Sequence, residues 1–438
     1  MKILKRLTLL LFIGVAIVSC SNKKSDLEGL TFKEQLQTLF PKAKIDSIKV
    51  NDHFIGAFQL VLQQPLDHAN PAAGTFDHYI YVSHAEYNHP TVLITEGYNA
   101  RHQTYELSKI LKANQVMVEY RFYGKSRPDS IPWKYLKNDA AAQDYHAIVT
   151  KLKRIYPKKW LSTGISKGGE TVMIYKSKFP NDIDVAVPYV APLINTQEDP
   201  RTNELINSVG SKECRAQIQQ FQRAVLKNRA GVMAELKKYA EEKKVSFTQI
   251  PIDEALEHAV LEFSFSFWQW GCKCEEIPDQ KSNSKVLFEY LKRVSGFYLF
   301  SDAGVHNYLP SFYQHMTELG YYGYDFEPVK DILKHVKTTS LSCFGPKDVD
   351  LTYNPNYIKE VREYMENKGD KTLYIYGGYD PWGACAPNPK PEVDALKMVL
   401  EGGHHGTRIK HFSKEDQQKM YDKLQSWLGA DVKIYPVK

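Results

Sequence analysis

Short apolar runs alternate with amphipathic stretches between residues 30 and 194. Apolar or alternating runs predict strands at residues 54–62, 76–82, 91–95, 115–120, 159–163 and 185–190. Helical spacing of apolar residues occurs between them, at residues 105–114 and 139–156. Strands that alternate with helices are typical of a mostly parallel sheet covered by helices.

The pattern changes at residue 195. Strand signals stop there, and helical spacing is found at residues 214–227, 231–244, 253–267, 285–294 and 305–318. A strand pattern returns at residues 371–377, and residues 414–428 form a terminal amphipathic helix. The sequence therefore predicts an α/β core in two parts, residues 30–194 and 341–438, interrupted by a helical cap at residues 195–340. This organisation puts a functional site between core and cap.

The stretch Gly164-Ile165-Ser166-Lys167-Gly168-Gly169 joins a predicted strand to a predicted helix at residues 170–175. A serine on a sharp turn between a strand and a helix is the nucleophile elbow of the α/β-hydrolase fold, and its flanking glycines let neighbouring backbone approach. The Ser166 hydroxyl would then stand at a helix N-terminus, where free N–H groups stabilise a developing oxyanion. The alternative is an ordinary glycine-rich turn.

An elbow serine needs a base to accept its proton and an acid to orient that base. In α/β-hydrolases the order along the chain is serine, acid, histidine. Asp380 follows the strand at residues 371–377 and is the candidate acid, with a simple turn aspartate as the alternative. His404 and His405 lie between glycines in a later loop, and we favour His405 as the base because it directly precedes a small residue.

Two backbone N–H groups are expected to form the oxyanion hole. One belongs to Lys167, the residue after the nucleophile. The other belongs to Gly97 or Tyr98, in the turn that follows the predicted strand at residues 91–95.

The first residues indicate export and lipidation. Residues 1–6 are basic, and residues 9–18 form an apolar run too short to span a membrane comfortably. The run ends Ala16-Ile17-Val18-Ser19-Cys20, which resembles a bacterial lipobox with Cys20 as the lipidated first mature residue. We expect a signal peptide at residues 1–19, a tether at residues 20–29 and a lipid-anchored protein of the bacterial cell envelope, in the periplasm or at the outer membrane. A soluble secreted product is the alternative.

Composition and charge narrow the possible partners. With 43% hydrophobic residues, the chain can bury a large core. The formal charge of +6 comes partly from Lys2, Lys5 and Arg6, and the remaining basic residues are scattered, which argues against nucleic acid as a partner.

Five cysteines remain after Cys20, and five thiols cannot all pair. Cys272 and Cys274 lack C-x-x-C spacing, and no histidine stands nearby at zinc-ligand spacing, so no metal or other cofactor is expected. One disulfide within residues 214–274 is compatible with the pattern, without an assignment.

Several blocks resemble known serine peptidases. Residues 118–128 (VEYRFYGKSRP) resemble the E-H-R-F/Y-Y-G-x-S-x-P signature of lysosomal Pro-X carboxypeptidase and its dipeptidyl-peptidase relatives, with Tyr120 in place of the histidine. Other blocks are more similar to the bacterial prolyl tri/tetrapeptidyl aminopeptidase family of secreted serine peptidases. They are residues 166–169, 262–269, 313–325, 377–382 and 402–408. Residues 383–386 match neither pattern.

The resemblance implies Ser166 as nucleophile, Asp380 as orienting acid and His405 as base. It also implies release of short peptides from an unblocked N-terminus, often with proline at the cleaved position. An exopeptidase must capture a terminal ammonium, which needs a carboxylate in a partly desolvated pocket. Candidates for that carboxylate are Glu96, Glu262 and Glu318. Structural pairing of these glutamates with arginines is the alternative.

Aromatic residues of the cap could form an apolar proline pocket. The candidates are Phe263, Phe265, Trp268 and Trp270. Core packing is the alternative, since an aromatic stripe in a helical domain is more often buried. At the level of function, a carboxypeptidase or dipeptidyl-peptidase type of proline-specific hydrolase, an esterase or lipase, and a non-catalytic binding lipoprotein are the competing interpretations.

Overall fold

The computed structural model describes residues 26–436. Its strands, in chain order, are β1 Lys44–Ser47, β2 Gly56–Pro65, β3 Thr75–His84, β4 Thr91–Thr95, β5 Asn114–Val118, β6 Trp160–Ile165, β7 Val185–Tyr189, β8 Glu198–Asp199, β9 Tyr321–Tyr322, β10 Thr372–Gly377 and β11 Ala395–Leu400. Within the described range, nine of them form one sheet in the order β1-β2-β3-β5-β4-β6-β7-β10-β11. The first strands pair antiparallel as far as β5, and the rest pair parallel.

Helices cover both faces of the sheet. In chain order the helices are α1 Phe32–Leu39, α2 Glu106–Leu111, α3 Asn138–Leu152, α4 Lys167–Lys178, α5 Arg201–Ile206, α6 Lys212–Lys227, α7 Arg229–Lys243, α8 Ile252–Gln269, α9 Ser284–Val294, α10 Asp302–Gln314, α11 Pro355–Lys368 and α12 Lys414–Leu428. One face packs against α1, α3 and α4, and the other packs against α2 and α12. The parallel strands β4, β6 and β7 are almost wholly buried, as expected for a sheet covered on both sides. The predicted α/β-hydrolase fold class is confirmed.

A hydrophobic core lies mainly within residues 194–344 and is built largely from α6, α7, α8 and α9, with Trp382 and Cys385 packed into it. A disulfide joins Cys214 to Cys274 and supplies the pairing that the sequence left open. The expectation that strand signals stop in this region was wrong in one detail, because β8 and β9 form a small parallel pair. The domain boundaries near residues 195 and 340 stay a prediction.

Every strand and helix predicted above has a counterpart, with ends that differ by a few residues. The predicted helix at residues 305–318 is divided: α10 ends at Gln314 and a π-helical turn, His315–Leu319, follows it. The sequence reasoning missed α1, α5, α11, β1 and β11.

The predicted signal peptide, Cys20 and the first part of the tether lie outside the described residues. Between residues 26 and 436, no helix combines the length and apolar character needed to cross a bilayer. The same range contains no group of three or more His, Cys, Asp or Glu side chains arranged to hold a metal ion.

Candidate active site

Ser166 stands on a strained turn between β6 and α4. Its backbone has φ 56° and ψ −126°, a region that residues other than glycine rarely occupy. Gly164 makes this turn possible, because a Cβ there would lie 2.3 Å from the carbonyl oxygen of Gly168. The elbow therefore presents a partly buried Ser166 at the N-terminus of α4.

Asp380 and His405 come together although 25 residues separate them. Asp380 follows β10 and His405 follows β11, and these strands are parallel neighbours, so both loops leave the same edge of the sheet. Asp380 Oδ2 lies 2.7 Å from His405 Nδ1. Asp380 is fully buried and His405 is 6% exposed, so water competes little with this bond. Engagement of Nδ1 leaves Nε2 as the nitrogen that can exchange a proton with a substrate or nucleophile.

The loop that carries His404 and His405 contacts the cap at the end of α8. The N–H of His405 donates to the carbonyl of Gln269 at 2.9 Å, and the Trp270 ring meets the His405 imidazole edge-on with centroids 5.7 Å apart. His404 instead accepts the N–H of Gly406 at 3.1 Å and has no carboxylate partner within residues 26–436. Of the two histidines, His405 has the acid partner that a general base needs.

The Ser166 hydroxyl makes no hydrogen bond to another described residue. Its main chain is fixed nonetheless, because its N–H donates to Tyr189 O at 2.9 Å and its carbonyl accepts from Glu170 N at 2.9 Å. Catalytic hydrogen bonds in unliganded enzymes are often long and tighten only when substrate binds.

The loop after β4 lies directly against the elbow. A Cβ added to Gly97 would lie 2.6 Å from the backbone nitrogen of Gly168, so only glycine permits this approach. The N–H groups of Lys167, Gly97 and Tyr98 donate to no acceptor in the described part of the chain. Lys167 also begins α4, where the first N–H groups of a helix have no partner within the helix. The N–H groups predicted to form the oxyanion hole thus belong to segments that lie against each other, and each lacks a hydrogen-bond acceptor among the described residues.

The side chain of Lys167 is buried at the same place. It is 3% exposed, and its Nζ donates to the carbonyl oxygen of Gly97 at 3.0 Å. The rings of Tyr120, Tyr123 and Tyr98 surround the ammonium, with Tyr120 nearest at 3.8 Å from Nζ to ring centroid. Burial lowers the pKa of Lys167 to about 7. Sequence reasoning assigned only the backbone of this residue a role.

Tyr120 is the residue that departs from the carboxypeptidase signature, and its environment explains the tyrosine. Its hydroxyl donates to Asn138 Oδ1 at 2.7 Å and accepts from Gln314 Nε2 at 2.9 Å, while its ring faces Lys167. Tyr120 therefore contacts Asn138 of the core, Gln314 of the cap helix α10 and Lys167 of the elbow.

Glu119 and Arg121, on either side of Tyr120, are structural. Glu119 accepts the N–H of Ala100 at 3.0 Å and both the N–H and hydroxyl of Ser126 at 2.7 Å, which fixes the end of the loop after β4. Arg121 is fully buried and forms two hydrogen bonds to Asp144, at 2.7 and 2.9 Å. These contacts hold the pKa of Asp144 at about 2, with Arg121 offsetting the effect of burial.

Glu96 borders a cavity of about 210 Å³ between the core and α10. The cavity is lined by Tyr98, Tyr105, Asn307 and Tyr308 among others. The Tyr105 hydroxyl donates to Glu96 Oε1, and Oε2 has no protein partner in the described range. Burial raises the pKa of Glu96 to about 7.

Glu262 and Glu318 are committed to internal partners. Glu262, 6% exposed, accepts from the hydroxyls of Ser266 and Tyr322, and burial raises its pKa to about 7. Glu318 accepts from the N–H and side-chain amide of Asn138 at 2.9 and 2.7 Å, and burial raises its pKa as well. Arginine pairing, the alternative considered for these glutamates, is found for none of the three among the described residues.

The aromatic residues within and directly after α8 differ in exposure. Phe263 and Trp268 are buried in the core of the cap, with Trp268 2% exposed and packed edge-on against Tyr379, so the geometry favours packing for both. Phe265 is also buried and stacks on Tyr322. Trp270 is 55% exposed beside His405 and is the aromatic residue of this set that a substrate can reach.

Comparison with known proteins identifies the family. The family model described as PS-10 peptidase S37 matches residues 39–435. A prolyl tri/tetrapeptidyl aminopeptidase of Streptomyces mobaraensis is 32% identical over 386 residues, which cover 85% of this chain and 80% of that protein. A probable serine protease EDA2 of Arabidopsis thaliana is 22% identical, over 89% of this chain and 93% of that protein.

Among solved structures, a proline iminopeptidase of Mycobacterium smegmatis aligns with a TM-score of 0.38 at 12% identity, covering 88% of this chain and 98% of its own. The family is shown by the family model, which matches residues 39–435, and by the 32% identical relative. The chain belongs to the peptidase S37 family and is a serine peptidase of the α/β-hydrolase fold.

Proposed function

We propose that this protein is an aminopeptidase that releases short peptides, with a preference for proline at the cleaved position, from free N-termini. Family membership supports peptide hydrolysis, and the 32% identical relative, a prolyl tri/tetrapeptidyl aminopeptidase, supports the tri- or tetrapeptide and proline specificity. The bond between Asp380 and His405 at the edge of the sheet that carries the elbow is the observation on which the chemistry rests.

In the proposed reaction, Ser166 Oγ attacks the scissile carbonyl carbon while His405 Nε2 takes its proton. Asp380 stabilises the imidazolium that forms. The N–H of Lys167 and that of Gly97 or Tyr98 stabilise the oxyanion. His405 then donates its proton to the leaving amine, and the acyl-enzyme remains on Ser166. A water molecule then attacks the acyl carbon while His405 takes its proton, and His405 passes that proton to Ser166 Oγ as the released peptide leaves with a new carboxylate.

Glu96 is the residue to which we assign the substrate ammonium. Of the three candidate carboxylates it alone combines an oxygen without a protein partner and an opening to a cavity. Both oxygens of Glu262 accept from hydroxyls, whereas Glu318 uses Oε2 for Asn138 and Oε1 for an ion pair with Lys137 at 3.6 Å. The cavity begins at the residues of the proposed oxyanion loop, so an N-terminus held there leaves room for few residues before the scissile bond. The hydrogen bond between a carboxylate and an ammonium is stronger in a pocket from which water is partly excluded.

The test compares proline-containing peptides with free and N-acetylated termini, with products identified by mass spectrometry. The wild type is expected to cleave the free peptides and release tri- or tetrapeptides, while acetylation lowers kcat/KM strongly. Glu96→Gln should remove most of that discrimination, and Glu262→Gln, at a glutamate whose pKa is also raised to about 7, should retain it. Equal rates on free and acetylated peptides would overturn the aminopeptidase proposal, and loss of discrimination in Glu262→Gln alone would overturn the assignment to Glu96.

We further propose that the protein is lipid-anchored through Cys20 in the bacterial cell envelope. The basic start, the short apolar run and the serine–cysteine end of that run support this proposal. A Cys20→Ser variant should lose incorporation of labelled fatty acid and move from the membrane fraction to the soluble fraction. A variant that stays with the membrane and keeps its label would overturn the anchor.

A further inference from the structure

A second cavity, of about 610 Å³, opens beside the elbow. It is lined by Ile165, which directly precedes the proposed nucleophile, and by Arg408, which follows the proposed base by three residues. Gln103 and Tyr105 line both this cavity and the smaller one that contains Glu96. The two cavities are therefore neighbours.

Arg408 in this cavity is partly buried and carries no ion pair within residues 26–436. Its Nη1 donates to the carbonyls of His405 and Thr407, at 3.3 and 2.7 Å, while Nε and Nη2 have no protein acceptor among the described residues. The guanidinium lies over the Tyr189 ring, 5.6 Å from its centroid. Burial lowers the pKa of Arg408, the direction expected for a cation that is withdrawn from water.

The nearby carboxylate of Glu106 forms no ion pair with Arg408, and together with Asp380 it offsets only part of the effect of burial on the pKa of Arg408. Its Oε2 accepts from the Tyr189 hydroxyl at 3.0 Å and from Ile409 N at 3.1 Å, and its Oε1 accepts from Lys410 N at 3.0 Å. Glu106 therefore fixes the backbone of the loop that carries Arg408. A desolvated cation without an acid partner is costly unless a ligand supplies the counter-charge.

The remaining cations of this cavity differ in their pairing. Lys109 Nζ lies 3.3 Å from Asp52 Oδ1 and is neutralised by it. Lys410 is exposed and has no acid partner in the part of the chain that the structure describes. Arg408 and Lys410 are thus the cations of this cavity without an ion pair in the described range, and of the two only Arg408 is partly buried.

We infer that Arg408 binds the C-terminal carboxylate of the leaving portion of short peptide substrates. A guanidinium with two free donors matches a carboxylate, which has two acceptor oxygens. Arg408 lies close to the base that protonates the leaving amine, with its Nη1 3.3 Å from the carbonyl oxygen of His405, whereas Glu96 lines the neighbouring cavity that shares Gln103 and Tyr105. A peptide bound with its ammonium at Glu96 and its carboxylate at Arg408 runs in one direction across Ser166. This inference rests on the proposed function and extends it to the leaving side.

The experiment uses pairs of proline-containing peptides that share the released N-terminal segment and carry leaving groups of one to three alanines. Each pair has a free C-terminal carboxylate in one member and a C-terminal amide in the other. The wild type is expected to favour the acid by about tenfold or more in kcat/KM at one leaving-group length, because a charged hydrogen-bonded pair contributes on this scale. Both longer and shorter leaving groups should show a smaller preference.

Arg408→Gln should reduce the acid-to-amide ratio to about one, and Arg408→Lys should restore it only in part because lysine lacks the planar fork. Lys109→Gln is the matched control, since it removes a paired charge from the same cavity and should keep the wild-type ratio. Thermal melting of each variant shows whether it is folded. If Arg408→Gln is unfolded, Arg408→Lys carries the test, and an unchanged acid preference in that variant would count against the inference.

Three outcomes would overturn the inference. A wild-type enzyme that cleaves acid and amide equally at every length retains the proposed function and loses this subsite. A folded Arg408→Gln variant that slows both members of each pair by the same factor shows that Arg408 only supports the His405 loop. An enzyme that cleaves none of the free-amine peptides overturns the proposed function and this subsite together.

Discussion

Lys167 Nζ lies 3.0 Å from the carbonyl oxygen of Gly97, so the residue after the elbow serine also holds the loop that faces it. The carbonyl of Gly97 and the N–H of Tyr98 belong to one planar trans peptide and point in opposite directions. A hydrogen bond to that carbonyl therefore sets the direction of the Tyr98 N–H. Lys167 would thus contribute one oxyanion donor through its backbone and orient the second through its side chain.

We expect Lys167→Met to lower kcat about 10²- to 10³-fold, the range found when one oxyanion donor is lost, with little change in KM. The reason is that the Tyr98 N–H would lose its fixed orientation while the substrate-binding cavities stay intact. Steady-state kinetics on a free-amine peptide measure both constants. Lys176→Met, at a second buried lysine on α4, is the matched control and should retain the wild-type kcat. A rise in KM with unchanged kcat in Lys167→Met would contradict the positioning role.

Substitutions of Ser166 should separate catalysis from backbone strain. Ser166→Ala is expected to abolish turnover and leave the melting temperature nearly unchanged, because alanine has the same difficulty at φ 56°. Ser166→Gly should also be inactive but more stable by about 1 kcal/mol, since glycine adopts this conformation without strain. Calorimetric melting and peptide hydrolysis are the two measurements. An active Ser166→Ala enzyme would exclude Ser166 as the nucleophile.

The two adjacent histidines should differ by orders of magnitude. His405→Ala is expected to lower kcat by about 10⁴-fold or more, and Asp380→Asn by a similar factor, because the imidazole loses its function or its correct tautomer. His404→Ala should cost little, since its Nδ1 bonds only to the N–H of Gly406 among the described residues. Kinetic constants of the three variants test the assignment. The opposite ranking of the histidines would make His404 the base.

The sequence predicted the parts of the site that short segments encode. The elbow was recognisable because strand, glycines and helix are contiguous. Asp380 could be placed because it follows a strand signal, and His405 because it lies between glycines in a later loop. The helix α11 was missed because its sequence is polar and charged, with only four buried residues, Tyr357, Ile358, Val361 and Met365. The strand β11 was missed because it lies at the edge of the sheet and its residues are mostly half-exposed.

Contacts between distant segments could not be predicted in the same way. Lys167 and Gly97 are 70 residues apart, and nothing in either segment indicates that the ammonium points back to that carbonyl. The three glutamates near aromatic blocks looked equivalent in the sequence. Only tertiary structure separates Glu96, beside a cavity, from Glu262, whose oxygens are taken by Ser266 and Tyr322.

The preference for free over acetylated peptides should depend on pH through Glu96. Burial raises the pKa of Glu96 to about 7, so its carboxylate becomes ionised, and able to bind an ammonium, as pH rises through that value. The ratio of kcat/KM for free to acetylated peptide is expected to rise from pH 6 to about pH 7.5 and to fall above about pH 8, where the peptide amine loses its proton. Because both substrates are cleaved by the same catalytic residues, any pH effect on the chemical step itself cancels from the ratio. Glu96→Gln should flatten the profile, and an unchanged profile in that variant would assign the titration to another group.

Glu262 should make the stability of the wild type fall with increasing pH. Burial raises its pKa to about 7 in the folded protein, above the value of about 4.5 expected when unfolded, so its favourable contribution is complete below pH 4.5 and is lost as pH rises through 7. The full difference corresponds to about 3 kcal/mol in the free energy of unfolding. Glu262→Gln carries no charge, and its free energy of unfolding relative to the wild type should increase between pH 5 and pH 8. Urea unfolding at both pH values measures this change, with Glu254→Gln, at a partly exposed position of α8, as the control that should show none. A wild type and Glu262→Gln variant with the same dependence on pH would mean that Glu262 ionises in the folded protein as readily as in the unfolded chain.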